Sequence, residues 1–306
     1  MTDTSLGDES LYLLPRAALP DYMRFMTSSA LNTEPLGPAQ LENEWHAAQD
    51  AMNHLFVKEA GWADRPIVQP LPPALRELGD RVLADPLFKE AYGSVNISLG
   101  MVELDRVIVS QRVVSRTYLN ILDNELGADP SPERIFHFCL PLEHPQPDCQ
   151  VARISDGEYT FTSKSHDLRF LGPRLLSPAQ RTGIRAIGPI ASVLGLVVGF
   201  SANCLNLLAI QGRLVLKNGT HRACALRARG MTHAPVLIQQ LSNKDEMDAI
   251  AQDAVCNNPD FFLKSTRPPV LKDYFDRILT KEFTLPMTRR QVRVTFSVEQ
   301  VDMPSS

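Results

Sequence analysis

Between residues 37 and 58 apolar side chains return at steps of three or four, as Leu41, Trp45, Ala48, Met52, Leu55 and Phe56. That spacing predicts a helix of several turns with one buried face, so Trp45 and His46 belong to packing and surface rather than to chemistry. A proline-rich break from Pro66 to Pro73 follows. Shorter helices are then predicted over Ala74 to Leu83 and Pro86 to Tyr92, with proline near the start of each. The first ninety residues thus read mainly as helices. Beyond them the pattern shortens: Val95 to Leu104 and Val107 to Gln111 are β-like, and Ser115 to Leu126 reads as a helix capped by Ser115 and stopped by Gly127.

Ile135 to Leu142, a proline-rich loop and Gln150 to Ser163 come next, and this middle section reads as mostly strand and loop. Asp156-Gly157, set between Val151-Ala-Arg-Ile and Tyr159-Thr-Phe-Thr, is a hairpin signal. Ala186 to Gly212 carries no charge over 27 residues, long enough to cross a bilayer. Its Pro189, Gly188, Gly195, Gly199, Asn203, Asn206 and Gln211 fit buried strands better than a lipid-facing helix. Near the end, Arg267-Pro-Pro269 and Leu271 to Leu279 predict a rigid turn feeding a short amphipathic helix for packing or dimer formation, and Arg289 to Val298 alternates as a final strand.

The best-defined local order lies between Cys204 and Leu241. Leu205 to Ile210 predicts a strand, Gln211-Gly212 a tight turn, and Arg213 to Lys217 its antiparallel partner. Asn218-Gly219-Thr220-His221-Arg222 then opens an alanine-rich helix, Ala223 to Arg229, which Gly230 stops before a strand from Pro235 to Gln239. A glycine at a strand-to-helix junction lets the backbone approach a ligand. The first amides of the helix have no partner within it, and the helix dipole favours an anion. Asn218, Gly219, Thr220, His221 and Arg222 are therefore the expected phosphate-binding residues, with Arg222 offering a fork that matches phosphate.

Charge sharpens this. The chain of 306 residues is 44% hydrophobic and 22% charged, values of a globular protein, and its formal net charge of −4 gives no reason to expect an anionic partner. Yet Leu168 to Lys244 contains no Asp or Glu and holds ten Lys and Arg residues, which leaves −14 for the remainder. The phosphate motif falls inside that basic strip. The five cysteines include no Cys-x-x-Cys pair and the seven histidines no His-Glu-x-x-His, so neither a disulfide framework, a zinc ribbon nor a zincin site is encoded. An acidic Met1 to Leu14 without a signal-peptide pattern leads us to expect a cytoplasmic protein that does not enter the membrane.

The hairpin, Gly219-x-x-Arg222, the short alanine-rich helix, Gly230 and the Pro235-Val236 strand resemble the phosphate-binding unit of the ParB/sulfiredoxin superfamily. Met101 to Gln111 with the helix Ser115 to Leu126 is similar to that superfamily's opening strand and helix. The resemblance implies an α+β fold: a ParB/sulfiredoxin-like core over residues 93–245, interrupted by a strand-rich insertion at about 128–200. A helical N-terminal extension, 1–92, and a C-terminal helix-and-strand extension, 246–306, would flank it. It implies a nucleotide ligand, a nucleoside triphosphate with magnesium, because sulfiredoxins use ATP in repairing an oxidised cysteine, ParB proteins bind and hydrolyse CTP, and relatives include serine kinases and proposed nucleases.

The departures narrow the activity. Thr220 stands where sulfiredoxins carry the reactive cysteine of Gly-Cys-His-Arg, and Cys224 lies one turn further along the helix. ParB proteins carry Gly-Glu-Arg-Arg, and no helix-turn-helix pattern follows Leu241. What remains is the phosphate cradle, with phosphoryl transfer or hydrolysis as the reaction it would serve. Glu103, Thr220 and His221 are its candidate catalytic residues, and Asp105 is a further carboxylate on the opening strand. The expected partner is a phosphorylated small molecule. The second reading is a nucleic-acid-binding protein or nuclease using the same basic surface, and the third a scaffold with a vestigial cradle.

Overall fold

The computed structural model describes residues 7–31, 37–143, 146–201 and 203–304. The chain has an α+β fold and divides into two compact units. One is Met1–Glu143 with Ala202–Met287, and the other is His144–Ser201 with Thr288–Ser306.

The first unit begins with a strand, β1 (Asp8–Leu13), which the helical reading of the N-terminus does not anticipate. Helices α1 (Leu19–Ser29) and α2 (Pro38–Lys58) follow, and α2 buries Leu41, Ala48 and Met52 of the apolar stripe. Next come β2 (Val68–Gln69), α3 (Arg76–Ala84) and α4 (Pro86–Tyr92), with Asp85 capping α4 through Leu87 and Phe88 amides. Strands β3 (Ile97–Glu103), β4 (Ile108–Val109) and β5 (Val113–Ser115) lead into α5 (Arg116–Leu126). The Ser115 hydroxyl caps α5, and Gly127, at φ +82°, ends it. Residues 132–139, expected in a strand-and-loop section, instead form α6 (Pro132–Cys139). Ser131 caps it and Pro132 occupies its first turn, where the missing amide costs nothing.

The second unit contains β6 (Gln150–Ser155) and β7 (Glu158–Ser163), joined at Asp156-Gly157, and the pair β8 (Leu168–Leu175) and β9 (Leu194–Phe200). The charge-free segment from Ala186 to Gly212 therefore supplies strands, of which β9 exposes Leu194 and Leu196 while residues 206–208 and 210 are buried in the first unit. Among the described residues no helix is long and apolar enough to cross a membrane.

Back in the first unit, β10 (Asn206–Ile210) and β11 (Arg213–Asn218) form the expected hairpin, with Gln211 and Gly212 both at positive φ. Then come α7 (Thr220–Ala228), β12 (His233–Gln240), α8 (Lys244–Ile250), α9 (Asp253–Cys256), α10 (Pro259–Leu263) and β13 (Thr280–Leu285). The predicted helix after Pro269 is a 3-10 turn, Leu271–Phe275. β14 (Arg290–Thr295) joins β7 in the second unit.

A mixed six-stranded sheet, ordered β2-β3-β12-β10-β11-β4, organises the first unit. β10 and β12 are parallel, with α7 in the connection between them. Alternating side chains of β10 and β11 separate two cores. Leu207, Leu214 and Leu216 pack with Ala223, Cys224 and Leu226 of α7, while Leu208, Ile210 and Val215 pack with Phe262 and Val255. A second sheet, β13-β1-β5, buries Tyr12 and Phe283 against α1 and α2.

Candidate functional site

Gly219 turns the chain from β11 into α7 at φ +91°, ψ 21°, and its amide donates to the Asn218 Oδ1 at 3.0 Å. A Cβ there would lie 3.0 Å from the Leu205 Cα and 2.9 Å from its Cδ1. Glycine is needed at this corner for the left-handed backbone and for close packing on Leu205, just before β10, whatever the ligand. The small residues Ala223, Cys224 and Ala225 then let α7 lie close on the sheet.

Two ties hold α7 beside α5. Near the N-termini the Ser115 amide donates to the His221 Nε2 at 3.0 Å, and the His221 ring meets Tyr118 edge to face. At the C-termini Arg229 pairs with Asp123 and donates to the Gly127 carbonyl. The two helices thus run parallel, which joins the two segments that carry the family resemblance.

No side chain caps α7. The first-turn amides of Thr220 and Arg222 have no hydrogen-bond partner among the described residues, which leaves the helix start with the unsatisfied donors and partial positive charge that attract anions. Arg222 is buried, 9% exposed. Its Nη1 donates to the Asn203 carbonyl, its guanidinium lies over the Phe138 ring at 5.5 Å, and its Nε is buried with no partner among the described residues. A buried donor left unmade costs about 1–3 kcal/mol, so this atom marks a place where an acceptor would be stabilising. Thr220 is buried beside it.

Three residues outside the Gly-x-x-Arg segment, Asn206, Lys217 and Gln239, lie close by in sequence or sheet position. The Gln239 Oε1 receives the Asn206 Nδ2 at 2.9 Å and the Lys217 Nζ at 3.3 Å, while the Asn206 Oδ1 is buried without a partner. Polar residues inside the apolar strands β10 and β12 were the available signal.

The expected site residues are not all brought together. Asn218, Gly219, Thr220 and Arg222 meet at the start of α7, and the His221 Nε2 is engaged by Ser115. Glu103 ends β3 opposite His233 and accepts from Arg106 at 2.8 Å. Asp105 forms a two-point pair with Arg227, at 2.6 and 3.1 Å, in the last turn of α7. Arg227 lies seven residues beyond Thr220, about 10 Å along the helix axis, so Asp105 is held away from the cradle, and Glu103 stands opposite His233, beyond the same end of α7.

The basic strip is also divided. Arg169, Arg174, Arg181 and Arg185 belong to the second unit. In the first, Arg213 pairs with Asp64, Arg227 with Asp105, Arg229 with Asp123 and Lys244 with Asp248. Three carboxylates distant in sequence, and Asp248 one turn beyond Lys244, therefore neutralise much of the charge.

The residues at the start of α7 fit a phosphate group, through two first-turn amides and the Arg222 Nε. They do not include Glu103 or Asp105, and among the described residues no group of three His, Cys, Asp or Glu side chains is arranged to hold a metal ion. Cys139 and Cys204 flank Arg222. Burial pushes the Cys139 thiol up to about 12 and the Cys204 thiol up to about 11, against the lowering influence of Arg222. Cys224, wholly buried in α7, is raised still further by burial and is no substitute for a reactive cysteine. Comparison with protein-family models, curated proteins and solved structures returns no match.

Proposed function

We propose that the protein binds the phosphate of a nucleotide or another phosphorylated small molecule at the start of α7. The observation that carries this reading is the Arg222 Nε, which among the described residues is buried without a partner at the first turn of a helix that no side chain caps. Phosphate oxygens would satisfy that atom together with the Thr220 and Arg222 amides, each through a charge-assisted hydrogen bond. The parallel strands β10 and β12 with α7 between them agree with the ParB/sulfiredoxin resemblance, which argues for a nucleoside triphosphate with magnesium as the first ligand to try.

Binding is better supported than catalysis. Glu103 and Asp105 are held by Arg106 and Arg227 at the other end of α7, and the His221 Nε2 accepts the Ser115 amide. An extended nucleic-acid grip has less support than a local cradle, because four of the strip's cations in the first unit are matched by carboxylates.

Calorimetric titration and thermal melting with CTP, ATP, ADP and pyrophosphate, with and without magnesium, test the proposal. A ligand at a hundred times its Kd stabilises by about 2.7 kcal/mol, a rise of roughly 5–11 °C for a unit of this size. Arg222→Gln should abolish the effect while circular dichroism stays unchanged. No response at millimolar ligand, or the same response in a folded Arg222→Gln protein, overturns the proposal.

A further inference from the structure

Two arginines, Arg16 and Arg112, line one cavity of the first unit. Arg16 ends the 3-10 turn Leu14–Arg16 after β1, and Arg112 lies just before β5, its carbonyl accepting the Leu13 amide at 2.8 Å. Across from them the chain passes from α9 through Asn257 and Asn258 into α10. A cavity of about 290 Å³ opens between these segments, lined by both arginines, both asparagines, Phe261 and Phe262.

The arginines are not explained by the groups around them. Among the described residues neither forms an ion pair. The Arg16 Nε and Nη1 are buried without hydrogen-bond partners, and its guanidinium lies 5.1 Å from the centre of the Phe262 ring. The Arg112 charge acts on the Tyr12 hydroxyl, while the Tyr274 hydroxyl, which faces Arg16, donates to the Gln111 carbonyl. The acidic residues of α9 and α10 do not fill the gap, since Asp253 and Asp260 are exposed and Asp260 pairs with Lys264. Burial is the first cause that lowers Arg16, to about 10, and the like charge of Arg112 adds to it. Two neighbouring guanidinium groups, one of them desolvated, call for a negative partner.

We infer that the cavity between Arg16, Arg112 and the Asn257-Asn258 bend is an anion site, separate from α7, for a small phosphate monoester. A dianion balances both guanidinium groups, and their planar forks match phosphate oxygens. The asparagine amides add neutral donors, and Phe261 and Phe262 offer an apolar wall to the body of the ester. A volume near the lower end of small-molecule pockets admits a compact ligand.

The test is calorimetric titration with phenyl phosphate and with inorganic phosphate, at ionic strength fixed with sodium chloride. The proteins compared are the wild type and the Arg16→Met, Arg112→Met and Arg222→Gln variants, each checked for fold by circular dichroism. The expected result is a phenyl phosphate binding event that Arg16→Met and Arg112→Met each weaken by about fivefold or more and Arg222→Gln leaves in place. Arg16→Met should also melt no lower than the wild type without ligand, because it removes an unpaired buried charge. Arg112 is exposed, so its variant decides the matter if Arg16→Met folds poorly. No phenyl phosphate binding by the wild type, smaller losses in the folded arginine variants, or disappearance of all binding in Arg222→Gln overturns the inference.

Discussion

The His221 Nε2 accepts the Ser115 amide at 3.0 Å, and the same serine caps α5 by accepting the Tyr118 amide at 2.9 Å. One residue thus ends β5, starts α5 and secures the first turn of α7. The histidine that a phosphate motif would nominate as a ligand has its Nε2 committed to the scaffold. His221→Ala leaves the Ser115 amide unpaired and removes the edge-to-face contact with Tyr118, so it should cost about 1–3 kcal/mol. Urea unfolding measures that loss. Phosphate affinity should fall far less than in Arg222→Gln, and an equal fall in the two variants would return His221 to the binding machinery.

Gly219 and Gly230 bracket α7, both with positive φ, at +91° and +80°. An alanine at either position carries the left-handed strain of about 1–2 kcal/mol. Only at Gly219 does the new Cβ also strike the chain leading into β10, 3.0 Å from the Leu205 Cα, whereas nothing lies within 4 Å at Gly230. Gly219→Ala should therefore be the more destabilising by about 1–3 kcal/mol, read as the difference between two denaturation midpoints of equal slope. Equal losses would mean that the chain at Leu205 moves aside freely.

Elements whose signals are local were legible in the sequence. Ser115 and Gly127 bound α5, Gln211-Gly212 and Asp156-Gly157 turn hairpins, and Gly219 and Gly230 bound α7. What could not be read depends on partners far along the chain. β1 is a strand because β13 and β5 pair with it, across more than 270 residues in the first case. Arg213, Arg227 and Arg229 look like an unbalanced patch until Asp64, Asp105 and Asp123 arrive from the preceding half of the fold. Arg16 and Arg112 carry no shared motif, and only tertiary structure makes one cavity of them. Within the cradle, the phosphate residues were legible as one short segment, while the distance to Glu103 was set by the order of strands in the sheet.

The five cysteines should divide cleanly by reactivity. Cys139, Cys204 and Cys224 are buried, and burial raises all three thiols above their ordinary range, so little thiolate forms near pH 8. Cys149 and Cys256 are partly exposed. Iodoacetamide at pH 8 should modify these two in the native protein, and all five in denaturant, with mass spectrometry of the digested chain locating each adduct. Rapid native labelling of Cys139 or Cys204 would show that the region around Arg222 opens readily.

Arg267 is wholly buried, held by Asp273 at 2.5 and 2.8 Å and by Glu59 at 3.0 Å, while Lys272 reaches Glu59 at 2.8 Å and lies over Trp62. Burial alone would raise the Glu59 carboxyl, but the hydrogen bonds from Lys272 and Arg267 prevail and hold it below its ordinary range. The unfolded chain therefore takes up this proton first as the pH falls. The group contributes its full stabilisation above about pH 4.5 and loses it as pH drops through the folded pKa. Glu59→Gln should cost about 1–2 kcal/mol at pH 7, less than the rupture of a fully buried pair because Asp273 remains with Arg267 and solvent reaches Glu59. The gap between variant and wild type should narrow below pH 4.5 and close once both proteins are neutral at position 59. Denaturation midpoints across pH 3–7 test the sign, and a gap that widens in acid would show that the network stabilises through packing rather than through the ionised carboxylate.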